Sequence, residues 1–133
     1  MTKRFKNFER LKGKSDIDVV YKKGKTIIST DKKLKAILLT SERRINKIRI
    51  TITVSSKAGN SVWRNRTKRI IRESIRQDIE FFKEQIDINK RELSIIFSPY
   101  RVTQRNFDRI FLKDIKPAVT DILNKITKTI IKN

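Results

Sequence analysis

Five arginines stand between positions 64 and 76 of this 133-residue chain, four of them inside the run Ser61-Val62-Trp63-Arg64-Asn65-Arg66-Thr67-Lys68-Arg69-Ile70-Ile71-Arg72. A planar guanidinium presents a fork of N–H donors that fits phosphate oxygens and base edges better than the point charge of lysine. With helical periodicity, Thr67, Ile70, Ile71, Ser74 and Ile75 recur at i, i+3, i+4, i+7 and i+8 and make a buried stripe. Asn65, Arg69, Arg72 and Arg76 recur at i, i+4, i+7 and i+11 on the opposite side, flanked by Arg66 and Lys68. Cations in a helix's first turn oppose the macrodipole, at a cost of about 0.3–1 kcal/mol each. Glu73 is the only acid in the stretch, so i,i+4 pairing does not neutralise the flank. Free first-turn N–H groups beside such cations would make a strong site for phosphates.

The remaining chemistry is sparse. With no cysteine and no histidine, the chain cannot form a disulfide scaffold, a zinc site with N or S ligands, an imidazole-activated nucleophile or a histidine acid–base pair. The one close acidic pair, Asp16-x-Asp18, would need more carboxylates to hold a metal, and its place in the first turn of a helix explains it fully. No metal site on the protein is expected. The formal charge is +20, of which residues 1–76 carry +17 and residues 77–133 only +3. Concentrated self-repulsion of this kind is kept when a polyanion relieves it. No apolar run exceeds four residues, so no membrane span or secretory segment is expected. The cysteine-free composition fits a cytoplasmic protein.

These groups must be positioned by a single small domain spanning residues 1–133, since no repeat or long linker divides it. Residues 1–14 read as an irregular basic N-terminal segment, with Phe5, Phe8 and Leu11 spaced to tuck against the body. Ser15 is expected to cap a first helix in a capping box with Asp18, and Ile17, Val20 and Tyr21 form one face before Gly24 stops it. Strands follow at 25–29 and 34–40. The clearest strand alternates Ile48, Ile50, Ile52 and Val54 with Arg49, Thr51 and Thr53, leaving one polar sheet face open. After a polar connection containing Gly59, Asn60 or Ser61 caps a long helix from about residue 61 to 85. A turn at 87–90 leads to a strand at 93–97. Two closing helices are expected, one from Thr103 presenting Phe107, Ile110 and Phe111. The other has Pro117 in its opening turn and presents Val119, Ile122, Leu123, Ile126 and Ile130. The order reads as α+β around one sheet.

The pattern Ser55-x-Lys57-x-Gly59-x-x-Val62-x-Arg64-Asn65-Arg66-x-Lys68-Arg69-x-x-Arg72-Glu73 resembles the signature of the bacterial ribonuclease P protein family, including its R-N-R motif. Arg10-Leu11-Lys12 with Asp16-Ile17, Val20-Tyr21 and Gly24 is similar to the family's opening segment, and 93–97 to its last strand. The resemblance covers about residues 10–98. It implies a two-layer α/β sandwich with an approximately four-stranded sheet, and an unusual left-handed βαβ crossover carrying the R-N-R helix, against the general rule. It implies partnership with a catalytic RNA that uses Mg²⁺, bound chiefly by the RNA, to remove the 5′ leader of precursor tRNA. The protein would be the non-catalytic subunit of this endoribonuclease, a monomer within the ribonucleoprotein, with no DNA or membrane partner.

By the same resemblance, Lys57, Arg64, Asn65, Arg66 and Arg69 would contact the RNA subunit. Ile17, Tyr21, Thr53, Lys68 and Arg72 would bind the single-stranded leader in a cleft between the first helix and the open sheet face. An aromatic platform with a basic rim binds unpaired strands with little sequence preference. Five positions depart from the family pattern: Ile17 replaces an aromatic, Ser56 a cation, Thr51 a glycine, and Phe97-Ser98 an Ala-Arg pair. Each touches leader recognition; none touches the R-N-R core. The rival readings are a ribosomal protein or other basic RNA-binding assembly factor, a DNA-binding module, and a protein-only nuclease. The DNA reading lacks a recognition helix and dimer seam, and the nuclease reading lacks histidine and clustered carboxylates.

Overall fold

In a computed structural model, which describes residues 9–41, 47–86 and 92–132, the alternating stretches pair into one mixed sheet. The elements run β1 (Glu9–Arg10), α1 (Lys14–Lys23), β2 (Lys25–Ile28), β3 (Leu34–Ser41), β4 (Lys47–Ile52), α2 (Ser61–Gln85), β5 (Glu92–Pro99) and α3 (Leu112–Lys132). The sheet order is β1-β4-β5-β3-β2. β3 pairs antiparallel with both β2 and β5, whereas β4 lies parallel to both β1 and β5. The parallel β4–β5 pair forces a crossover connection, and α2 lies in it.

Period-2 alternation decides which layer each side chain joins. Leu34, Ala36 and Leu38 of β3, Ile48 and Ile50 of β4, and Leu93, Ile95 and Phe97 of β5 all enter the core shared with α2 and α3. Their neighbours face the other way, where Ile37 and Ile96 meet Leu11 and Val20, with Ile17 of α1 packed against them. The sheet therefore has α2 and α3 on one face and α1 over part of the other. The apolar residues expected on α3, from Val119 to Ile130, are buried.

Several expectations are corrected. The sheet has five strands and not four, because Glu9–Arg10 pairs with Arg49–Ile50 and the Leu11 N–H donates to Ile50 O at 3.0 Å. A two-residue strand is too short for periodicity to reveal. Phe5, Phe8 and the turn at 87–90 lie outside the described residues. Gly13, not Ser15, precedes the first turn of α1, with φ at 100°. That backbone conformation suits glycine alone. The helix then starts at Lys14, so Ser15 lies inside the first turn and makes no capping hydrogen bond. Gly24 ends the helix as expected, its N–H donating to Val20 O. No helix forms at 103–111. Asn106 Oδ1 accepts from the Thr103 N–H at 2.8 Å, a local bond that competes with helical pairing. The carbonyls of Phe107 and Ile110 are taken by the side chains of Trp63 and Arg66. α3 starts instead at Leu112, with the Phe111 N–H donating to Asp114 Oδ2 at 2.9 Å, and Pro117 falls in its second turn rather than its first.

α3 is tied to the β2–β3 turn through Asp121, whose Oδ2 accepts from the Thr30 N–H at 2.7 Å and lies 3.3 Å from Lys125 Nζ. Partial burial pushes the Asp121 carboxyl up, but the Thr30 hydrogen bonds and the Lys125 charge outweigh it and hold the group below the usual carboxylate range. A carboxyl depressed by folding adds stability above its unfolded pKa of about 3.9, and that stability is lost as pH falls through the folded value. Asp121→Asn is expected to cost roughly 1 kcal/mol near neutral pH, after allowance for its exposure. Urea unfolding across pH checks this: the deficit should vanish in strong acid, and a pH-independent deficit would assign it to shape rather than charge.

Candidate nucleic-acid interface

α2 owes its start to Asn60, whose Oδ1 accepts from the Trp63 N–H at 2.8 Å. Its inward stripe contains Trp63, Thr67, Ile71, Ser74, Ile75, Ile79 and Phe82, all buried. Ile70, expected in that stripe, is only half-buried and packs at its margin. The opposite flank is open: Asn65, Arg66, Arg69, Arg72 and Arg76 are exposed, and Arg64 and Lys68 are half-buried. One acid meets it, Glu73, 3.2 Å from Arg76, with both groups well exposed. Such a surface pair contributes little. Among the described residues, Lys68, Arg69 and Arg72 have no ion-pair partner, and no acid occupies the first turn.

Two arginines of the R-N-R segment are held by backbone carbonyls rather than by acids. Arg64 Nη1 donates to Gly59 O at 2.9 Å, and Arg66 Nε donates to Ile110 O at 3.1 Å. The Arg66 guanidinium also lies 5.7 Å from the centre of the Phe111 ring. Each is thereby oriented without losing its charge, and Arg66 keeps its terminal N–H groups uncommitted. The turn that follows β5 is the scaffold. Gln104 Oε1 accepts from the Asn60 N–H and the Gln104 N–H donates to Ala58 O, at 2.9 and 2.7 Å. Trp63 Nε1 donates to Phe107 O at 2.8 Å. The loop before α2 is thus clamped, with Lys57 exposed on it. The sequence offers no signal for this clamp, because Gln104, Phe107 and Ile110 lie far downstream of their partners.

The open sheet face is the second feature. Thr51 and Thr53 are half-buried on the side opposite the α2 core, and the Thr53 N–H continues the ladder to Phe97 O at 3.0 Å. On α1, Ile17 is half-buried against Val20, whereas Tyr21 is 49% exposed. That exposure leaves its ring able to stack on something outside the protein. Arg49 stands on the same face, although in the sequence it reads only as part of the polar alternation. Its guanidinium lies 3.4 Å from Asp16 of α1 and 3.2 Å from the buried Glu92. It therefore pins α1 to the sheet. Asp16, two residues before Asp18, is engaged in this contact. Lys68 and Arg72 stand on α2, which packs on the opposite sheet face from α1. No hydrogen bond or ion pair among the described residues joins them to Ile17, Tyr21 or Thr53.

The ribonuclease P family model matches residues 5–116. The chain belongs to the ribonuclease P protein family. The ribonuclease P protein component of Petrotoga mobilis is 32% identical over 122 residues, covering 92% of this chain and 94% of the relative. That of Bacillus cereus is 32% identical over 123 residues, covering 86% of this chain and 98% of its own. Among solved structures, the RNase P protein from Thermotoga maritima superposes with a TM-score of 0.67 at 22% identity, over 88% of this chain and 96% of that one, and so shares the fold. The Staphylococcus aureus RNase P protein gives 0.62 at 26% identity, over 91% and 96%.

As a ribonuclease P protein, a component of a tRNA-processing enzyme, the chain carries its R-N-R segment on a clamp with little slack. A Cβ on Gly59 would lie 2.8 Å from the Trp63 ring and 2.9 Å from Gln104 Cβ. Gly59→Ala is expected to destabilise the protein by about 1–3 kcal/mol, as overpacking does, with red-shifted Trp63 fluorescence as the ring is displaced. Unchanged urea midpoint and emission would show that the loop yields freely.

Proposed function

We propose that this chain binds the catalytic RNA of ribonuclease P through the exposed flank of α2, and the 5′ leader of precursor tRNA through the α1–sheet face. The RNA, with its own Mg²⁺, performs the hydrolysis, and the protein works as a cytoplasmic monomer within the ribonucleoprotein. The observation that carries this reading is a helix flank of guanidinium and ammonium groups that, among the described residues, is almost without acid partners. Lys57, Arg64, Asn65, Arg66 and Arg69 would meet RNA-subunit phosphates, releasing counterions as they do so. Tyr21 would stack on an unpaired leader base, with Ile17 and Thr53 beside it. Lys68 and Arg72 would hold the leader backbone from α2.

Among the described residues no group of three or more acids stands together to hold a divalent cation. Asp16 is paired with Arg49, Asp78 with Lys116 and Thr120, and Asp121 with Lys125 and the Thr30 N–H. Each is a separate structural contact, and the part proposed for this chain is to supply donors to phosphates. Its contribution is to bind and orient RNA, and to offset the repulsion between RNA strands that would otherwise demand more Mg²⁺.

Reconstitution with ribonuclease P RNA and precursor tRNA at low Mg²⁺ tests the reading. Leader release is expected only with the RNA present and to be stimulated by the protein; cleavage by the protein alone would overturn it in favour of a nuclease. Arg66→Ala should weaken binding to the RNA subunit and reduce the slope of log K against log salt by about 0.9. Tyr21→Ala should lose about 1–3 kcal/mol of stacking on leader-bearing substrate with no change for mature tRNA. Lys68→Ala should reduce the preference for precursor over mature tRNA, and an equal loss for both would move Lys68 to the RNA-subunit contact.

A further inference from the structure

The turn between β5 and α3 carries a basic surface that the R-N-R segment does not account for. Arg101, Arg105, Arg109 and Lys113 are all exposed, and among the described residues none has an ion-pair partner. Among the described residues two carboxylates stand near them, Asp108 and Asp114, the latter accepting from the Phe111 N–H, so cations outnumber acids four to two on this turn. The backbone beneath them is fixed. Asn106 bonds Thr103 and the Arg101 carbonyl, and the Phe107 and Ile110 carbonyls receive Trp63 and Arg66. The fold itself uses Arg105, Arg109 and Lys113 very little: Lys113 is 6.0 Å from the Phe111 ring centre, and the other two make no contact of this kind.

Phe111 links this surface to α2. Its ring is 42% exposed and carries Arg66 as well as Lys113. Two cations held on one exposed ring repel each other, and each cation–π contact offsets only about 0.5–1 kcal/mol. A polyanion relieves that repulsion. Resting on the reading of α2 as the RNA-subunit surface, we infer that Arg105, Arg109 and Lys113 extend that surface across the turn. Phe111, with both Arg66 and Lys113 within 6.0 Å of its ring centre, joins the two surfaces, and the cations of both would receive backbone phosphates of the folded RNA. Contiguity with Arg66 favours RNA as the ligand, and the contacts are charge contacts that position without reading sequence.

The test is equilibrium binding of the full-length protein to in vitro transcribed ribonuclease P RNA across a salt series. The triple variant Arg105→Gln, Arg109→Gln, Lys113→Gln is compared with Arg66→Ala and wild type. The inference predicts that the triple variant keeps the wild-type melting curve and lowers the log–log salt slope by about 2–3, near 0.9 for each phosphate no longer neutralised. A triple variant with wild-type affinity and slope, while Arg66→Ala loses both, would overturn the extension and leave the α2 surface standing. If neither variant changes affinity or slope, both readings fall.

Discussion

Cations crowded on one helix flank push apart, and the seam on the other side of α2 is what keeps them in place. Ile71, Ile75 and Ile79 are fully buried between the sheet and α3, with Phe82 almost so. Each such side chain contributes roughly 1.5–3 kcal/mol, well above the few tenths to about 1 kcal/mol that each first-turn cation costs. The helix can thus tolerate an electrostatically unfavourable start because its packing outweighs it. Carbonyls complete the arrangement, Gly59 O in the loop before α2 for Arg64 and Ile110 O in the β5–α3 turn for Arg66, and they orient the two without discharging them.

Much of this was legible from residue order. The limits of α2 follow from Asn60 and a stripe that repeats cleanly along the helix, and β4 from its Ile/Thr alternation, since both are local patterns with strong periodicity. The apolar face of α3 was legible for the same reason. What failed was decided by partners distant in sequence. The 103–111 segment has helix-like apolar spacing, yet its carbonyls serve Trp63 and Arg66. Ser15 has the right type for a cap, but Gly13 reaches a backbone angle that starts the helix sooner. β1 exists only because β4 offers an edge to pair with. In the site, the flank of α2 could be drawn in advance, whereas the tethering of Arg66 to Ile110 and Phe111, and of Arg49 to Asp16 and Glu92, could not.

The two surfaces differ in kind. The flank of α2 is dense in unpaired charge, as suits a folded RNA whose phosphates are close together. On the α1–sheet face the cation Arg49 is bridged by two acids, and Tyr21 is an exposed aromatic. Ile17 packs inward against Val20. Tyr21 is the residue of this face that the proposed reading asks to stack, because its ring is exposed.

Because the chain has no native cysteine, a single introduced thiol reports on one place. Val62 and Glu80 are both exposed on the same side of α2, about five turns and about 27 Å apart. Photo-crosslinking from Val62→Cys and from Glu80→Cys in the reconstituted ribonucleoprotein tests most directly whether the basic end of the helix faces the RNA subunit. Crosslinks to that RNA from position 62 and none from position 80 are predicted; the reverse pattern, or equal yields, would contradict it.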